Sequence, residues 1–237
     1  MVYGDSSVMR LPGLWLGAAV FCLATLGSAV ATAQAPNPGQ AADAYAAGAK
    51  QNAQLMQKYT WKMRVQLTYN GEEKPASLYQ MNYVGGQLQK TEISAPPEES
   101  GRKHGIKHRV TEDKMAEIKS EVEALVELTK KYMAPTPGQM FDFYSKATIG
   151  PAPTGGVQAS GTSFIQPGDK VTYFIDPATK SPTSFNFTTS LQGKPVTGAA
   201  QYGQVPGGPK YASQLTISAP ADKLSIAVTN FEYQLNQ

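Results

Sequence analysis

Three changes in hydrophobic period predict an α+β fold: a strongly curled antiparallel sheet of about nine strands, an incomplete barrel, covered by an N-terminal helix and a central helical segment. Apolar and polar residues alternate through TWKMRVQLTYNGEEKPASLYQMNYVGGQLQKTEISAP, residues 60–96. Helical spacing replaces the alternation over 41–59 and again over about 111–146. The period of two then returns from Val157 to the C-terminus. A sheet this wide does not stay flat, because strand twist accumulates across it.

Each element has a local cause. Residues 34–40 read as a tether and 41–59 as an alanine-rich helix striped by Tyr45, Ala49, Leu55, Met56 and Tyr59. In the next strand Trp61, Met63, Val65, Leu67 and Tyr69 face one way, and Lys62, Arg64, Gln66 and Thr68 the other. Asn70-Gly71 opens a turn, Tyr79, Met81 and Tyr83 continue the pattern, and Gly85-Gly86 returns the chain into a third strand ending near Ile93. A helix is expected from Thr111, with Glu112 and Asp113 in its first turn, Lys130 and Lys131 in its last, and Pro135 as its stop. Thr136-Pro137-Gly138-Gln139 has the form of a capping box and begins a short helix through about Lys146. Six further strands are expected at about 157–165, 170–176, 183–192, 196–204, 210–218 and 223–235. The turn residues of 71–96 recur in order over 193–220, which reads either as two related half-sheets or as turn chemistry that any meander reuses.

The N-terminus carries an address. Leu14 to Leu26 has the length of a signal-peptide apolar region and is short for a membrane span. Ala31-Thr32-Ala33 supplies the small-x-small site for signal peptidase, so residues 1–33 are expected to be removed and the chain to be periplasmic or secreted in a bacterial envelope. The single cysteine, Cys22, would leave with that segment, and with it any disulfide, thiol nucleophile or thiolate metal site. A formal charge of +3 is too mild to imply nucleic acid as a partner.

No motif argues for catalysis. His104 and His108 stand four apart, but Gly105 weakens a helix there and no third ligand is nearby. Arg102, Lys103, Lys107 and Arg109 would repel a metal, so 95–110 reads as a solvated basic loop, with an anionic membrane surface or an envelope protein as its candidate contact. Glu117, Glu121 and Glu123 alternate with lysines on a helix face that water solvates. Neither a phosphate-binding glycine loop nor a nucleophile elbow is present, and Asp176-Pro177 reads as an Asx-type turn. No cofactor, metal site or catalytic residue is expected.

The dry face is the remaining candidate site. Trp61, Met63, Val65, Leu67, Tyr69, Met81, Tyr83, Tyr173, Phe185 and Phe187 are richer in aromatics and methionine than packing alone requires. Such residues line adaptable apolar cavities, and they also fill ordinary cores.

Two resemblances bear on the choice. The stretch VTYFIDPATKSPTSFNFTTSLQG, residues 171–193, is similar to the strand, Asp-Pro hairpin, strand and glycine segment of the periplasmic lipoprotein-carrier (LolA-like) family. That resemblance implies an incomplete curled barrel covered by helices, with an apolar cavity for acyl chains. YTWKMRVQLTYNGE, FYSKATIGPA and QPGDKVTYFIDPATKSP resemble a family of secreted bacterial proteins with no assigned function. The expectation is a noncatalytic envelope protein that binds lipid or an acylated protein. Its competitor is an envelope scaffold with a fully packed sheet.

Overall fold

The computed structural model describes residues 37–94, 106–153, 155–176, 178–179 and 181–236, with the backbone alone for 94 and 106–115. The expected signal peptide, its cleavage site at Ala31 and Ala33, and the residues Arg102, Lys103 and His104 lie outside this description.

Helix α1 (Pro38–Met56) begins inside the expected tether and ends before Tyr59. The reason is local: the Asn37 side chain accepts from Gly39 N at 2.9 Å, and Pro38 occupies the first turn, where a missing N–H costs nothing. Helix α2 (Ile106–Met133) starts five residues before Thr111, so Glu112 and Asp113 fall inside it and its first turn holds no acid. Neither proline nor glycine interrupts 106–133, and the helix runs on until the chain nears Pro135. Lys107, His108 and Arg109 therefore lie on a helix and not in a loop. Helix α3 (Pro137–Lys146) carries the expected capping box, with Thr136 and Gln139 bonded reciprocally. None of the described helices is long and apolar enough to cross a membrane.

The strands are β1 (Tyr59–Tyr69), β2 (Glu72–Glu73), β3 (Ser77–Val84), β4 (Gln87–Ser94), β5 (Thr148–Pro151), β6 (Val157–Thr162), β7 (Lys170–Asp176), β8 (Ser181–Leu191), β9 (Lys194–Gln204), β10 (Lys210–Ala219) and β11 (Leu224–Leu235). They form one 11-stranded sheet in the order β4-β3-β1-β11-β10-β9-β8-β7-β6-β5, with β2 paired to β1 off that path. The two strands beyond the expected nine are β2 and β5, one only two residues long and the other carrying Gly150 and Pro151, too short and irregular to show a period. All pairings are antiparallel, and the ends of the order, β4 and β5, do not meet. The sheet is curled and open.

Two meanders make this sheet, and β1 joins them by pairing with β11 from Tyr59↔Leu235 to Tyr69↔Leu224. Tight hairpins keep the rest local: Gly85-Gly86 and Gln192-Gly193 place both central residues at positive φ, the turn whose twist matches the flanking strands. The inner face gathers Met63, Val65, Leu67, Val171, Val196, Leu215, Ile217, Leu224, Ile226 and Val228 into one buried cluster with Ile118, Val122, Leu125 and Val126 of α2 and Met140 of α3.

Polar clips hold α1 in place. The Asn52 side chain donates to Lys210 O at 3.0 Å and accepts from Lys210 N at 2.8 Å, treating the start of β10 as another amide. Tyr45 donates to Pro135 O at 2.9 Å, tying α1 to the α2–α3 junction, and α1 packs against α3.

Candidate functional site on the inner face of the sheet

All ten expected lining residues lie on or against the buried cluster under the helices. Eight are fully buried, while Tyr69 and Tyr83 are only partly so. They divide between two ends of the face that are closed to different degrees.

Beneath α2 and α3 the face is sealed by a circuit of six aromatic rings. Tyr132 of α2 stacks on Phe187 at 4.3 Å, Phe187 meets Phe185 at 5.8 Å, and Phe185 stacks on Tyr173 at 4.5 Å. Phe143 of α3 then contacts Tyr173 and Phe164 edge-on, and Phe164 returns to Tyr132 at 6.3 Å. Stacked and edge-to-face pairs are the arrangements that the ring quadrupole favours. Two glycines make room for them: a Cβ on Gly198, the register partner of Phe187, would overlap that ring, and one on Gly161 would lie 2.8 Å from Phe143.

One buried acid pins this end. Asp169, 1% exposed, accepts from the backbone N–H of Phe164 (2.6 Å), Ile165 (2.8 Å) and Gln166 (3.0 Å) and from the Tyr132 hydroxyl (2.7 Å). The Tyr132 oxygen also lies 2.8 Å from Thr189 Oγ1. Burial raises the Tyr132 phenol above its ordinary range, which keeps it a donor. Oδ2 accepts three of these bonds and Oδ1 one, so the carboxylate ties the 164–166 loop to α2.

The other end is looser. Four rings cross β3, β1, β11 and β10 in a row: Tyr83 to Trp61 at 6.1 Å, Trp61 stacked on Tyr233 at 5.5 Å, and Tyr233 to Tyr211 at 4.1 Å. Trp61 is 4% exposed, and its indole N–H donates to Asn230 Oδ1 at 3.2 Å while Asn230 Nδ2 donates to Ala212 O. Tyr83, Tyr233 and Tyr211 remain partly accessible. Leu235, which shares the face of its partner Tyr59, is 63% exposed.

Tyr233 was not legible as a site residue because a bulge changes the parity of β11, and Asn230, inward on the simple alternation, is polar and gives no apolar signal. Leu224, Ile226, Val228 and Asn230 face inward, but Glu232 sits at φ 53° where the register shifts opposite Trp61. The extra residue turns Tyr233 inward and sends Glu232 outward to Lys62 at 2.5 Å. The missed helix residues, Tyr132 and Phe143, were hidden because nothing in a helical stripe says which strand it covers.

At the same end β4, the last strand of the order, points charged side chains inward. Lys90 pairs in register with Met81, which pairs with Trp61, and its ammonium lies 3.9 Å above the Tyr79 ring. Burial lowers the Lys90 pKa below that of an ordinary lysine, and nearby Glu92 opposes the shift. On the opposite face, a polar groove of about 580 Å³ is lined by Thr60, Lys62, Gln80, Asn82, Thr91, Ile93, Glu232 and Gln234. Near the sealed end, Asp176 Oδ1 accepts from Ala178 N at 2.8 Å and Thr179 N at 3.4 Å, the expected Asx turn.

No protein-family model and no curated protein matches this sequence. Solved structures do align with it, each at low identity. A LolA superfamily protein from Nitrosomonas europaea aligns at 7% identity over 79% of this chain and 93% of its own, with a TM-score of 0.32. A DUF1329 family protein from Desulfovibrio piger aligns at 5% identity over 79% and 92%, with a TM-score of 0.33. A domain assigned to outer membrane lipoprotein sorting, from Vibrio parahaemolyticus, aligns at 11% identity over 79% and 91%, with a TM-score of 0.36. Two of these three carry LolA or lipoprotein-sorting names, the class that residues 171–193 resemble in sequence.

Proposed function

We propose that this chain is a noncatalytic protein of the bacterial cell envelope that takes up an apolar group, a lipid or the acyl chains of a lipoprotein, between its curled sheet and its helices. The unequal closure of the inner face carries the reading. One end is locked by the aromatic circuit and the Asp169 pin, while at the other Tyr83, Tyr211 and Tyr233 stay partly accessible around the buried Trp61. An open sheet whose apolar face is anchored at one end and loose at the other provides a site for an acyl chain without unfolding. The basic residues Arg102, Lys103, Lys107 and Arg109 suit an anionic membrane surface or an acidic envelope partner.

A second reading is favoured by one observation: eight of the ten expected lining residues are fully buried as packed core. On that reading the chain is a scaffold or interaction module with no small ligand. Native mass spectrometry of the secreted protein separates the two. A co-purified lipid, and saturable change in Trp61 emission when lipid is returned to a delipidated sample, support the carrier. Lipid indifference of a delipidated, folded sample overturns it.

A further inference from the structure

We infer that the apolar group this protein accepts carries an anionic head, and that the Lys90 ammonium on the edge strand β4 receives it. The inference rests on the carrier reading above and names the chemical class of its ligand.

Three observations place the charge. The register row Trp61–Met81–Lys90 runs along one face of the sheet from its interior to the last strand of the order, so a single row passes from indole to thioether to ammonium. On one side of the cation along this face, Tyr83 pairs with the buried Leu88; on the other, Tyr79 pairs with Glu92. Lys90 is half-buried and its ammonium lies 3.9 Å from the Tyr79 ring centre, which sets it at the rim of the dry face.

A cation held at the margin of an apolar surface complements a molecule built the same way, with a long apolar tail and one acidic oxygen group. The match is stronger at a half-buried site than on open surface, because desolvated charges are screened less. An ammonium has three donors, so an anion's oxygen adds to the contacts Lys90 already makes and need not replace them. Glu92, inward on the same strand and paired with Tyr79, sets the limit: it repels a second negative charge and favours a singly charged head.

An inward lysine on an edge strand also discourages edge-to-edge pairing of sheets. That role alone predicts aggregation when Lys90 is replaced, with no selectivity for acids.

The test is calorimetric titration of the delipidated secreted protein with oleic acid and with oleyl alcohol, at mildly alkaline pH where the acid is ionised. The acid is expected to bind about ten- to a hundredfold more tightly, as a charge-assisted hydrogen bond allows. Lys90→Met should bring the acid down to the level of the alcohol and leave the alcohol unchanged. Lys90→Arg should retain the preference, and Lys90→Gln provides a neutral variant should methionine impair folding. Equal binding of acid and alcohol, or equal weakening of both by Lys90→Met, overturns the assignment while leaving the carrier reading intact. Binding of neither compound overturns both.

Discussion

Replacing Asp169 by alanine tests whether the buried carboxylate, and not the aromatic circuit alone, holds the sealed end together. The substitution removes the acceptor for three backbone amides and one phenol. Tyr132 keeps Thr189, so its loss is partial. The Phe164 amide is left in a buried site and costs the full penalty of an orphaned donor, about 1–3 kcal/mol. Ile165 and Gln166 are half-buried, so water reaches their amides and each forfeits only the net value of a hydrogen bond, about 0.5–1 kcal/mol. Together these give a destabilisation of about 3 kcal/mol. For a domain of roughly 200 residues that corresponds to a melting temperature lower by about 6–12 °C. Asp169→Asn should fall as low or nearly so, because its NH2 group would face N–H donors. Urea unfolding followed by circular dichroism measures the change as a shift in midpoint at constant slope. An Asp169→Ala variant within about 0.5 kcal/mol of the parent would show that the pin contributes nothing and that the ring stack is self-sufficient.

Further outcomes follow from neighbouring features. Gly198→Ala should destabilise by about 1–3 kcal/mol through overpacking against Phe187, and Phe187→Leu in the same chain should recover part of that loss; additive losses in the double-mutant cycle would exclude the close approach. Ile226→Asp should fail to fold, read as loss of near-ultraviolet circular dichroism, because Ile226 is buried between its register partners Leu67 and Ile217, which offer a carboxylate no partner; a folded variant would reveal unfilled space there. Lys194 bonds Asp222 and lies 3.7 Å from Glu121, whose pKa is raised above the ordinary range by burial and by Asp222. A glutamate with a raised folded-state pKa binds its proton more tightly in the native protein, so the stability it contributes is largest at low pH and is lost as pH rises through that pKa. Lys194→Met leaves two facing carboxylates and should lower the urea midpoint at neutral pH, with a deficit that shrinks as Glu121 protonates; a deficit that grows on acidification would contradict the pairing.

Local chemistry alone was enough to read most of the elements. The period of two placed β1, β3, β4 and the long C-terminal strands close to their observed positions, and Thr136 with Gln139 located α3, because alternation and capping act within a few residues. The same signals placed Trp61, Met63, Val65, Leu67, Met81, Tyr173, Phe185 and Phe187 on a dry face. Where a short-range rule met a competing one, the reading slipped: Asn37 capped α1 inside the expected tether, and an uninterrupted helical run carried α2 back past Thr111. What the face covers was decided only in three dimensions. The pairing of β1 with β11 joins residues far apart in the chain, and the bulge at Glu232 turns Tyr233 toward Trp61 against the simple alternation. Likewise Asp169 acquires its partners from a helix and a loop, and Gly198 has meaning only beside Phe187. Periodicity fixes which way a side chain points relative to its own strand. Only the assembled sheet and helices determine what it meets there, because contact depends on register, bulges and the docking of distant segments.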